Sequence, residues 1–139
     1  TIAVPTFTLL PAPQDGDSAE SPAAEVIFAP NGTRQFSFTG QVSSPEGDTE
    51  DWVAFTPYNQ PGTQAVINFS LQCSGRAKLS VELWKNGQVI SDTPGPACGD
   101  QDQTLTLNAG EAYQLHFEIL ADSSSLQSVG YIITILNNP

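Results

Sequence analysis

The stretch Glu46-Gly47-Asp48-Thr49-Glu50-Asp51-Trp52-Val53-Ala54-Phe55-Thr56 decides the fold. Its first half is an acidic turn built around Gly47. Its second half is a short aromatic and β-branched run of the kind that suits a pleated strand. Trp52 and Phe55 are read together as anchors of a β-sandwich core. The acids invite a second reading. Hard cations take six to eight oxygens from carboxylates and carbonyls at a sharp turn. Asp48, Glu50 and Asp51 are therefore candidate calcium ligands, and Asp100 and Asp102 could add oxygens if their loop meets this one. The competing reading is a solvated acidic loop, which is common in an acidic chain. No other cofactor is suggested.

Outward from this stretch, short strands alternate with turn signals. Residues 26–29 form a brief strand closed by Pro30-Asn31-Gly32. Residues 33–42 put Phe36 and Phe38 on one face. Residues 63–72 put Ala65, Ile67, Phe69 and Leu71 on one face. Residues 78–85 turn Leu79, Val81 and Leu83 inward and Ser80, Glu82 and Trp84 outward. Asn86-Gly87 is a two-residue hairpin signal leading into 88–91, because both positions tolerate positive φ. Residues 103–108, 113–120 and 129–136 complete the set. No stretch sustains a 3.6-residue apolar period. Many short strands at regular spacing predict an all-β, antiparallel sandwich. Residues 1–25 read as an extended N-terminal arm and linker, and residues 26–139 as the sandwich domain.

The chain of 139 residues is long enough for one domain with a real core. Four Lys and Arg stand against 15 Asp and Glu, a formal net charge of −11. Nucleic acid and anionic membranes both call for a basic patch, so this balance argues against either partner. No apolar run approaches the roughly 18 residues of a membrane span. Methionine is absent, position 1 included; a processed, secreted product is expected. Cys73 and Cys98 fit no metal-binding spacing, and one disulfide in an oxidising compartment is expected. Two free buried thiols are the alternative.

Three stretches then carry a resemblance. They are Gly47-Asp48-Thr49-Glu50-Asp51-Trp52-Val53-Ala54-Phe55, the hairpin from Leu79 to Val89, and Leu105-Thr106-Leu107-Asn108-Ala109-Gly110-Glu111-Ala112-Tyr113-Gln114-Leu115. In order and spacing, residues 33–136 resemble the bacterial pre-peptidase C-terminal domain, which is related to collagenase collagen-binding modules. The resemblance implies a jelly-roll-like sandwich in an extracellular, non-catalytic module, often appended to a secreted hydrolase. Val53 departs from the aromatic usual after the Trp, Ser80 stands where the family often has Asp, and the cysteine pair is not a general family feature.

The remaining chemistry is sparse. His116, the only histidine, falls on the polar Gln114/Glu118 side of its strand, with no nucleophile or orienting carboxylate signalled. There is no HExxH, P-loop or dinucleotide motif, and a non-enzyme is expected. Trp84 could offer a surface contact, beside Tyr58 or Tyr113, or lie covered by the arm. Asn31 and Asn68 head glycosylation sequons. The arm, with Ile2, Val4, Phe7, Leu9 and Leu10, could pack on its own sandwich or add as a strand to a neighbouring copy. Two functions are expected from this. One is a self-assembling subunit of an extracellular filament or matrix, at the cell surface or secreted, polymerising through residues 1–13. The other is a pre-peptidase-type accessory module that binds protein fibre or glycan.

Overall fold

Alternation of period two, read along the chain, becomes two stacked sheets. The computed structural model describes residues 10–32, 34–75, 77–99, 102–120 and 125–138. Ile2, Val4, Phe7 and Leu9 of the arm, together with Thr33 and Asp100, lie outside the described residues. The strands are β1 (Ala24–Ile27), β2 (Gln35–Ser44), β3 (Glu50–Thr56), β4 (Gln64–Ser74), β5 (Leu79–Lys85), β6 (Gln88–Pro94), β7 (Gln103–Asn108), β8 (Tyr113–Ile119) and β9 (Gln127–Asn138). The first sheet has the order β1-β3-β8-β5-β6, and the second β2-β9-β4-β7. All neighbours run antiparallel except β1, which joins β3 in parallel with Val26 opposite Phe55. The fold is an all-β sandwich.

The inner faces meet in one apolar core. Val53 and Phe55 of β3, Ile67, Phe69 and Leu71 of β4, Leu115 and Phe117 of β8, and Ile133 and Ile135 of β9 are all buried. Phe55 stands edge-on to Phe69 at 5.6 Å and stacks on Tyr113 at 5.7 Å. Each side chain of this size stabilises by roughly 1.5–3 kcal/mol when taken fully out of water. The hairpin at Asn86-Gly87 has φ of 55° and 75°, the pair of positive values a type I′ turn demands. On the second sheet's outer face, Asn68 Nδ2 donates to Thr104 Oγ1 at 3.1 Å, beside the exposed Val66. Asn31 sits in an exposed turn. Cys73, at the end of β4, is bonded to Cys98 in the loop between β6 and β7, with Cα atoms 5.6 Å apart.

Trp52 does not share the core with Phe55. Residues three apart in a strand face opposite ways, so Phe55 points between the sheets and Trp52 points out from the first sheet. Trp52 is nonetheless 7% exposed: its ring packs against Trp84 and His116 on that outer face, and the chain before β1 is bonded to its backbone. The Trp52 N–H donates to Asp17 Oδ2 at 2.6 Å, and the Ala23 N–H donates to the Trp52 carbonyl at 2.8 Å. Between these two points residues 18–21 close a small turn on themselves, and the Gln114 side-chain amide donates to the Ala19 carbonyl. The described part of the arm therefore packs in cis. Leu10 is exposed, and β1 runs across the position between residues 25 and 26.

Candidate metal centre

The arm crosses the β2–β3 turn at Gly47, and the sequence is shaped for that crossing. The Ala12 N–H donates to Ser43 Oγ at 2.9 Å, and the Asp48 N–H donates to the Ala12 carbonyl at 3.0 Å. Gly47 has φ +87°, and a Cβ there would lie within 2.7 Å of Ser43 Oγ, the Ala12 carbonyl and Pro11 Cβ. Only glycine combines that backbone conformation with so close an approach. Pinned at this point, the arm brings Asp15 and Asp17 against Asp48 and Asp51.

The four carboxylates form a single cluster, with one oxygen of each lying within 4.8 Å of all the others. Asp51 is 1% exposed. Its Oδ2 accepts a hydrogen bond from the Tyr131 hydroxyl, which reaches across from the opposite sheet. Its Oδ1 is buried and has no hydrogen-bond partner among the described residues, and the same holds for Asp17 Oδ1. A side chain at Gly40 would displace the Tyr131 hydroxyl, which is why this strand carries no Cβ there.

Such crowding is costly for ionised carboxylates. Burial, then the Asp48 carboxyl beside it, pushes Asp51 up to about 8. Burial, then the neighbouring Asp15 carboxyl, pushes Asp17 up to about 7. Asp48 is also raised, chiefly by burial. Burial likewise works on Asp15 but is outweighed by hydrogen bonds with the Asp17 side chain and backbone N–H, so its net shift is downward. Burial and the Asp51 charge raise Tyr131, which stays a phenol and a donor.

A pH dependence follows. In cation-free protein, Asp17 and Asp51 hold protons when folded that they would release when unfolded. Their contribution to stability is complete below the unfolded value near 4 and is lost as pH rises through 7 to 8. Urea midpoints measured with chelator should fall from pH 5 to pH 8.5.

Glu50 does not belong to this cluster. It is one residue from Asp51 and so stands on the opposite face of β3, where Glu50 Oε2 lies 2.7 Å from His116 Nε2. Asp102 is exposed and is not among the clustered acids. Asp15 and Asp17, which the sequence reading placed in a linker, complete the set. Trp84 is half-buried on the outer face and meets neither Tyr58 nor Tyr113. Its ring stands edge-on to Trp52 at 5.1 Å and to His116 at 5.8 Å. Tyr113 is buried with Phe55 on the inner face.

Fold and site together define a class: a disulfide-bearing β-sandwich with a cluster of four aspartates, two of them buried, where its own N-terminal arm crosses the sandwich. No family model matches the chain, and no curated protein matches it. Among solved structures it is similar in outline to Aeromonas hydrophila PliG, a periplasmic lysozyme inhibitor of g-type lysozyme. That likeness has 14% identity and a TM-score of 0.49, and it covers 84% of this chain and 100% of the other. Salmonella Typhimurium PliG, also a periplasmic lysozyme inhibitor of g-type lysozyme, matches with 14% identity, a TM-score of 0.44 and coverage of 84% and 99%.

The contacts of the arm and of Trp84 correct the expected functions. The described arm residues are engaged with their own sandwich through Ala12, Asp17, Ala19 and Ala23. Strand donation through residues 1–13 and fibre binding through an exposed Trp84 are both set aside.

Proposed function

We propose that this chain is an extracytoplasmic, non-catalytic binding protein whose N-terminal arm is clasped to its sandwich by calcium held by Asp15, Asp17, Asp48 and Asp51. One observation carries the reading: the orphaned Asp51 Oδ1, buried within a cluster of four carboxylates. A buried, unpaired carboxylate oxygen is costly, and a cation turns that cost into a bond. The donors are all oxygen, the chemistry of a hard cation. Opposite ligands of one calcium ion stand about 5 Å apart, and the four oxygens fall inside that span. The Gly47-Asp48 to Trp52 motif that resembles pre-peptidase C-terminal domains supplies two of the four ligands.

The disulfide supports an oxidising compartment. A formal charge of −11 favours a protein partner with a basic surface, drawn in by long-range attraction. Calorimetric titration of chelator-treated protein should show one calcium site. Thermal stability should rise by about 2.7 kcal/mol once free calcium reaches 100 times its dissociation constant. Asp51→Asn should weaken binding on the order of 100-fold, since ligand charge sets affinity at such sites. A wild-type protein whose melting temperature ignores millimolar calcium would sink the proposal.

A further inference from the structure

On the other face of β3 lies a second group of ligating side chains, and it shares no residue with the four aspartates. Glu50, His116 and Glu118 each present a ligating atom, and these lie within 4.8 Å of one another. The sheet builds the arrangement by register. Glu50 pairs directly with Glu118 across β3 and β8, and His116 pairs with Trp52 on one side and Glu82 on the other.

His116 is 5% exposed. Trp52 lies over its ring at 4.2 Å and 30°, and Trp84 closes it edge-on at 5.8 Å. Its Nδ1 faces Glu82 Oε1 at 3.1 Å, and the Trp84 Nε1–H lies 3.4 Å from that same oxygen. Its Nε2 faces Glu50 Oε2 at 2.7 Å.

Carboxylates only accept hydrogen bonds. With Nδ1–H given to Glu82, Nε2 is left facing a carboxylate. That contact is favourable only if Nε2 carries a second proton or a metal ion. A single proton serves Glu50 alone. It leaves Glu118 beside a like charge directly across the sheet, an arrangement that destabilises. A dication between Nε2, Glu50 and Glu118 satisfies all three groups. A carboxylate on the far nitrogen is also the usual outer partner of a metal-binding histidine, fixing its tautomer and its ring.

We propose that His116 Nε2, Glu50 and Glu118 form a second metal site, for a borderline dication of the zinc class, with Glu82 and Trp84 orienting the histidine. The mixed nitrogen and oxygen donor set suits such an ion, and three protein ligands leave a fourth position open. At metal–ligand distances of about 2.0–2.2 Å, neighbouring ligands on a tetrahedral ion sit about 3.3 Å apart. Glu50, whose side chain is 49% exposed, has room to withdraw by the roughly half an ångström that this requires.

The test uses protein already saturated with calcium and titrated with Zn²⁺, so that the aspartate cluster does not compete. The chain has one histidine, so its imidazole nitrogen NMR signals belong to His116 without ambiguity. One equivalent of zinc should shift the Nε2 signal and change the fluorescence of Trp52, which stacks on the ring. Glu118→Gln should weaken zinc binding at least 10-fold. Glu82→Gln, which leaves all three ligands in place, should weaken it roughly 10- to 100-fold. His116→Gln should abolish the fluorescence response. If the wild-type imidazole signals do not move at several equivalents of zinc, or if Glu118→Gln binds zinc as wild type does, the site is a doubly paired imidazolium and the proposal is overturned. Should His116→Gln fail to fold, the wild-type NMR readout decides alone. The calcium proposal stands or falls separately, on residues this titration does not use.

Discussion

Phe55→Ala should lower the stability of the protein by about 3–5 kcal/mol, the range for emptying a fully buried aromatic site. For a chain of this length that corresponds to a fall in melting temperature of roughly 10–17 °C. Phe55 is 0% exposed and bridges the two sheets, meeting Phe69 of β4 on one side and Tyr113 of β8 on the other. Neither ring can follow far into the void, because both are held by paired central strands. The loss should also reach the aspartate cluster, since Phe55 and Asp51 share β3. A chemical-denaturation curve checks the magnitude. A loss below 1 kcal/mol would show that the site collapses and that the two sheets are not locked at Phe55.

The second large effect belongs to the disulfide. Replacing Cys73 and Cys98 together by serine should cost about 3–4 kcal/mol on the chain-entropy account, which depends on the length of the loop closed. The bond spans a sequence separation of 25 and ties the end of β4 to the loop between β6 and β7. That loop carries the chain from β6 in the first sheet to β7, the neighbour of β4 in the second, so the bond pins the crossover between the layers to β4. The double variant, compared with wild type under reducing and oxidising conditions, gives the measurement. Wild type treated with reductant should fall to the stability of the variant. A loss of this size is a large part of the 5–15 kcal/mol that holds a typical domain together.

Most of the strand plan could be read from residues, for a definite reason. A sandwich strand buries one face only, so β4 shows Ala65, Ile67, Phe69 and Leu71 at every second position, and β5 shows Leu79, Val81 and Leu83 likewise. Where two faces are buried the pattern fails. Trp52 looked like a core residue because it is large and apolar, yet it is buried on the outer face, against Trp84 and His116, and not by the opposite sheet. His116 stands on the outer side its alternation assigned it, but the cover that Trp52 and Trp84 give it comes from strands paired on either side. The same blind spot hid half of the aspartate cluster. Asp15 and Asp17 lie more than 30 residues before Asp48, in a stretch whose small and acidic residues read as linker. Nothing local in sequence says that Gly47 has been kept bare for the arm to pass. Glu50 was grouped with Asp48 and Asp51 by adjacency, although the period of a strand sends it to the opposite face.

The place of β9 has a consequence for how the chain is made. It is the last strand in sequence, yet it lies between β2 and β4 and pairs with both along most of its length. A nascent chain that ends before residue 127 holds β2 and the β4–β7 pair with no neighbour to join them. Four buried residues of the core, Val129, Tyr131, Ile133 and Ile135, have then not arrived. The second sheet therefore cannot be completed segment by segment from the amino end as synthesis advances. It closes only when β9 arrives, through contacts far apart in sequence of the kind that make folding slow. Until β9 arrives the second sheet stays open between β2 and β4.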